Sequence, residues 1–239
     1  MTNTMPIKAK VMIGTVAVAS LCSLAFGVAN HALPAWHQLA LLMIAAVLTS
    51  RLKVKLPGMT STMSGNLPVI LLGVMQLGLL GSLLVAVTAA LAQSFASTTK
   101  MKPVQILFNT CTLMNACGLA YFVYHSRLFT VSVSGPALAL VAAAVAYFIA
   151  NTAPVAGIIG LTEASNPVAI WHKVFLWSLP NYVIGAGLTA LVSLFTSAAG
   201  VATLGTLMVV LFGVYKSYKM YVGQAEQLTP KAMTMAAGH

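Results

Sequence analysis

The 239-residue chain is 59% hydrophobic and 6% charged, with a mean hydropathy of +0.94, whereas a soluble domain carries about 25% charged residues. Its net charge of +10 comes from twelve Lys and Arg against Glu163 and Glu226, and it has no Asp. Long, non-alternating apolar runs exclude a soluble domain and a transmembrane β-barrel, and bases confined to short clusters between those runs argue against nucleic acid as a partner. The expected fold class is all-α: a polytopic integral membrane helical bundle of about eight membrane segments.

The first segment, Val11–Ala29, follows Lys8 and Lys10. Its length suits a membrane anchor; a secretory signal has the same layout, and either way the two lysines stay cytoplasmic. A proline and an interfacial tryptophan, Trp36, precede a short second segment from about His37 to Ser50. The cluster Arg51, Lys53, Lys55 and the turn-rich "LPGMTSTMSGN" come next.

The uncharged stretch Asn66–Gln93 then poses a choice between one span and two. As one span, it puts Lys8, Lys10, Arg51, Lys53, Lys55 and Arg127 on one side and Lys100, Lys102, Lys173, Lys216, Lys219 and Lys231 on the other, six against six. If the chain instead turns near Gly78–Gly81, every base except Arg127 falls on the side of the N-terminus, eleven against one. Positive charge collects on the cytoplasmic side of membrane proteins, which favours the turn. Each half is short, about 21 Å of helix against a core of about 30 Å, so neighbouring helices must cover the turn's backbone. The expectation is a short buried hairpin at 67–97, with helices Leu67–Leu79 and Gly81–Ser97, and Gly73, Gly78 and Gly81 permitting the turn and close packing.

Segment five is Val104–His125. Segment six runs from Gly135–Pro136 to about Gly160, interrupted at "ANTAP", where Pro154 lacks an N–H and crowds the carbonyl four residues back, so a kink is expected. In "SNPVAIWHKVFLWSLP", Asn166 is a cap and Pro167 a first helical residue. Ile170, Val174 and Trp177 share a stripe that His172 and Lys173 avoid, which predicts an interfacial amphipathic helix near 167–179. Segment seven is Asn181–Thr196 and segment eight begins at Val201 and ends near Tyr215. Residues 1–221 read as a single transmembrane domain and 222–239 as a cytoplasmic polar tail.

No catalytic constellation emerges. Glu163 has no acidic partner for paired-carboxylate chemistry, and no serine sits in a nucleophile elbow, so no enzyme activity and no cofactor is expected. Cys22, Cys111 and Cys117 lack metal or disulfide spacing. His31, His37 and His125 fall on the external side but share no helical spacing, so no metal site is assigned. The informative residues are amides and hydroxyls at membrane depth: Gln76, Asn109, Thr110, Thr112, Asn115, Asn151, Thr152 and Asn181. Each must find a partner in the bundle interior, either as a tie between helices or as the lining of a polar site. The candidate ligand-binding residues are Asn109 and Thr112, three apart on one helix face, with Asn151, Thr152 and Asn181. Asn109, Asn151 and Asn181 are expected to converge.

The order "LPGMTSTMSGNLPVILLGVMQLG", "LFNTCTLMNACGLAYFVYH", "FIANTAPVAGIIGL", "WHKVFLWSLPNYVIGAGLTAL" and "YKSYKMY" resembles the polytopic N-terminal membrane sensor domains of bacterial cyclic-dinucleotide signalling proteins, those that precede HD-GYP phosphodiesterase or diguanylate cyclase modules. The resemblance covers about residues 36–221 and rests on Phe108–Asn109, Asn151–Thr152 and Leu179–Pro180–Asn181. It implies a sensory or small-ligand-binding module of the bacterial inner membrane, here without the catalytic module. Both termini would be cytoplasmic, and output would pass through a cytoplasmic signalling partner. The alternative is a small-solute transporter or the substrate-binding subunit of an importer. The expected partners are the lipid bilayer and a small-molecule ligand.

Overall fold

The computed structural model describes residues 5–30, 36–51, 53–55, 62–97, 101–129 and 135–195. Segment eight and the polar tail lie outside the described residues. The helices are α1 (Ile7–Ala29), α2 (Trp36–Ser50), α3 (Leu67–Gln76), α4 (Leu79–Phe95), α5 (Pro103–Tyr124), α6 (Gly135–Thr162), α7 (Pro167–Ile170) and α8 (Leu179–Phe195). Between α2 and α3 the turn-rich loop forms a small antiparallel hairpin, β1 (Lys53–Lys55) on β2 (Thr62–Ser64), with Lys53 opposite Ser64. That ribbon is the one departure from helix among the described elements.

Three helices, α1, α5 and α6, are long and apolar enough to cross a membrane. Ile7, Val11, Val18 and Leu21 on α1 are 60–78% exposed, and Leu138, Val141 and Val145 continue the apolar surface on α6. In water such a surface would drive association; against lipid chains it is the solvated face. The chain is a helical membrane protein.

At the centre stands α3. Every residue from Pro68 to Val74 is buried, as befits a helix that is apolar all round. The chain reverses at Leu77–Gly78, both in extended conformations. A Cβ built on Gly73 would lie 3.8 Å from the Cβ of Val85, a proximity that only an antiparallel return can give. The break falls two to three residues before the expected one, and Gly78 sits at φ −65°, a value open to any residue. Gly81 is the glycine the turn needs, since a Cβ there would meet Leu77 Cβ at 3.0 Å.

The C-terminal carbonyls of α3 have no intrahelical donors, and in a membrane they require others. Gly73 O accepts from Leu77 N–H at 2.8 Å and faces the Ser82 hydroxyl at 2.9 Å. Val74 O faces His125 Nε2 at 3.0 Å. A carbonyl only accepts, so the His125 proton sits on Nε2. His125 thus ties the end of α5 to the tip of the hairpin, with its ring tilted against Tyr121 at 4.3 Å between centroids.

Around this centre α5 packs on α6, α4 and α1. Asn115 Nδ2 donates to Val16 O at 2.9 Å, which docks α1 onto the bundle. α6 is one helix from Gly135 to Thr162 with Pro154 inside it, so the chain stays helical through "ANTAP". Membrane helices tolerate proline where packing holds the turn on either side together. α7 begins as expected, with Asn166 Oδ1 accepting from Val168 and Ala169 N–H and Pro167 in the first turn. It is not a separate helix, however. A π turn (Trp171–Phe175) and a 3₁₀ turn (Leu176–Ser178) carry it directly into α8.

Candidate ligand site

α6 descends past α8, and the contact is built on aromatic rings. Phe148 lies 4.9 Å from Tyr182 and 5.8 Å from Trp171, and Tyr147 lies 6.1 Å from Tyr182, centroid to centroid. One turn along α6, Asn151 Nδ2 donates to the Tyr182 hydroxyl at 2.9 Å. Thr152, buried, donates to Phe148 O at 2.7 Å and accepts the Trp171 indole N–H at 2.8 Å. The Asn151–Thr152 pair therefore splits its work: the amide ties α6 to α8, and the hydroxyl ties α6 to the turn after α7. Tyr182 still carries its own hydroxyl hydrogen for a further acceptor.

On α5 the situation differs. Eight helical threonines have described side chains. Six of them, Thr15, Thr49, Thr88, Thr152, Thr162 and Thr189, bond back to the carbonyl four residues earlier. Thr110 and Thr112 do not, and among the described residues their buried hydroxyls have no partner. Thr112 is 1% exposed. The back-bond is the default way to satisfy a hydroxyl inside a helix, and leaving it unmade in the interior costs about 1–3 kcal/mol. Thr112 shares a face with Asn109, half-buried, at the i, i+3 spacing.

The expected convergence of Asn109, Asn151 and Asn181 is not seen among the described residues. Asn151 and Thr152 are brought together with Tyr182 and Trp171. Among the described residues the Asn109 side chain makes no hydrogen bond to them, and the Asn181 side chain lies outside those residues. Of the expected interfacial helix, Ile170 on the apolar stripe is half-buried and His172 off it is exposed, while the side chains of Lys173, Val174 and Trp177 also lie outside the described residues. Sequence reasoning passed over Trp171 and Tyr182, each adjacent to a residue it had singled out, His172 and Asn181. No protein-family model, no curated protein and no solved structure matches the chain.

Among the described residues no three His, Cys, Asp or Glu side chains group as metal ligands do; His31 lies outside them and His37 is exposed. Two sets of groups stand out: on α5 the buried Thr112 hydroxyl beside the Asn109 amide, and on α6 the Asn151–Thr152 pair hydrogen-bonded among the rings of Phe148, Trp171 and Tyr182. Either suits orientation of a small, partly apolar molecule.

Proposed function

We propose that the chain is a sensory, small-ligand-binding module of a bacterial inner membrane, of the kind its sequence resembles, acting through a cytoplasmic partner and without catalysis of its own. The observation that carries the ligand-binding reading is Thr112: a wholly buried hydroxyl with no hydrogen-bond partner among the described residues. A bound molecule accounts for it by supplying the missing contact. Signal transfer follows from the tie between Thr152 and Trp171, which couples the bundle interior to the segment that begins at the exposed cap Asn166.

The test uses the Thr112→Val variant, which keeps shape and removes the hydroxyl. Protein purified in mild detergent is extracted and the co-purifying small molecules identified, and thermal unfolding is followed before and after ligand removal. The wild type should carry a small molecule that stabilises it, by about 2.7 kcal/mol at a hundredfold excess over Kd. The variant should fold with an apo stability equal to or about 1 kcal/mol above wild type and lose the ligand-induced gain. An undiminished gain in the variant would remove the reading.

The orientation proposed is multi-pass with about eight segments and both termini cytoplasmic, supported by the eleven-to-one distribution of bases around a reversing α3–α4 hairpin. It places Lys100 and Lys102 in the cytoplasm. A cysteine at Thr99, in a background lacking the native cysteines, should resist an impermeant thiol reagent in cells with a permeabilised outer membrane and react after inner-membrane lysis. Labelling before lysis would reverse the assignment.

A further inference from the structure

Asn151 and Tyr182 carry more donor hydrogens than their surroundings accept. Their side chains meet at 2.9 Å between α6 and α8, and neither side chain makes another hydrogen bond among the described residues. With Asn151 Nδ2 as the donor, the Tyr182 O–H and the second amide hydrogen are left over. With the amide turned end for end, the Tyr182 O–H donates to Oδ1 and both amide hydrogens are left over. In either orientation the pair keeps two hydrogens without an acceptor. The neighbouring groups do not relieve it. The Thr152 hydroxyl donates to Phe148 O and takes the Trp171 N–H. Pro154 has no N–H and so leaves Ala150 O without its helical donor, but neither side chain of the pair bonds that carbonyl.

The surroundings select the acceptor. The rings of Tyr147 and Phe148 lie against Tyr182, and Trp171 lies against Phe148, a wall suited to a flat or apolar body. α6, α7 and α8 contain no Lys, Arg, Asp or Glu, so these helices carry nothing to balance an anion, and an unbalanced charge is costly at membrane depth. The acceptor that fits is a neutral oxygen. Ile149, two residues before Asn151, and Val183, next to Tyr182, are 47% and 64% exposed, while Asn151 and Trp171 are half-buried. The flanks of the α6–α8 seam thus face lipid chains, and a molecule arriving from them is largely apolar.

We propose that the α6–α8 seam binds the carbonyl oxygen of a largely apolar molecule, with Asn151 and Tyr182 as its donors. The oxygen belongs to a membrane quinone or to the acyl ester of a lipid. The inference rests on the small-ligand reading for its role, but on groups separate from Thr112.

Thermal unfolding of the full chain in two settings tests it. In mild detergent, a short-chain ubiquinone is titrated beside an alkylbenzene of similar size that has no carbonyl. In nanodiscs, ester-linked phosphatidylcholine is compared with its ether-linked analogue, which lacks the acyl carbonyls. Stabilisation by the quinone and not by the hydrocarbon identifies a free carbonyl compound; stabilisation by the ester lipid over the ether lipid identifies the bilayer itself. Asn151→Leu combined with Tyr182→Phe removes every donor of the pair and keeps apolar bulk; it should weaken the response at least about tenfold. Infrared spectra of the wild type give a check that needs no substitution: the isotope-labelled carbonyl of the stabilising molecule should show a stretching band at lower frequency when bound. A response lost in Thr112→Val and kept in the double variant would place the carbonyl at α5, overturning this site while leaving the small-ligand reading in place. No stabilisation in either setting, an unshifted band, or a full response in the double variant would likewise overturn the proposal.

Discussion

Trp171→Ala lowers the unfolding free energy by about 3 kcal/mol, the low end for loss of a packed tryptophan because the ring is half-buried. The indole packs at a tilt against Phe148 and donates its N–H to Thr152, so both packing and a hydrogen bond are lost. Trp171→Phe separates them. It keeps an aromatic ring against Phe148, and Thr152 retains its own bond to Phe148 O; the cost falls to about 1 kcal/mol, the net value of one hydrogen bond. Denaturant titration in mixed micelles measures both. Equal losses for the two variants would mean that the N–H, and not the ring, holds this segment to α6.

Gly160→Ala destabilises by about 2 kcal/mol, within the range for overpacking, although the change adds one methyl group. The methyl would lie 2.6 Å from Pro167 Cγ and 2.9 Å from Ser165 O. Neither neighbour can yield easily: one is a proline ring in the first turn of α7, the other a backbone carbonyl. The chain is tight here because Ser165 N–H returns to Gly160 O at 3.0 Å while Ala164 takes φ 51°, a left-handed end of the Schellman type. Gly157→Ala is the internal comparison. Its methyl would meet Met12 Cε at 2.7 Å, but that atom ends a flexible side chain able to swing aside, so the cost stays below about 1 kcal/mol. Thermal unfolding of the two variants side by side checks the contrast, and equal costs would contradict it.

The two results mark what the sequence reveals and what it hides. Helix ends set by local chemistry were legible. Pro103 opens α5, Asn166 and Pro167 open α7, and Gly135–Pro136 opens α6. The hairpin was legible from charge distribution, a property of the whole chain. Its break was misplaced by two to three residues because three glycines offered turns of equal merit, and the choice depends on Ser82 and His125 reaching α3 carbonyls from other helices. Partners were not legible. Asn115 bonds a carbonyl 99 residues away and His125 one 51 away; periodicity gives the face of a helix and says nothing of the helix opposite. Asn66 was passed over for the same reason. Beside Pro68 it reads as a helix start, and only the fold shows that its side-chain amide meets the Thr49 hydroxyl of α2 at 2.9 Å.

The orientation of the chain, the position of the α2–α3 junction and the packing of α5 all depend on the reversal at Leu77–Gly78. A paired substitution, Gly73→Cys with Val85→Cys, tests it directly in a background without Cys22, Cys111 and Cys117. The Cβ separation of 3.8 Å matches the mean for a disulfide, about 3.8 Å, whereas twelve residues of continuous helix would hold the pair about 18 Å apart. Mild oxidation in native membranes followed by alkylation and intact-mass measurement should find no free thiol. Two alkylated cysteines, with the protein folded, would mean that α3 and α4 form a single span.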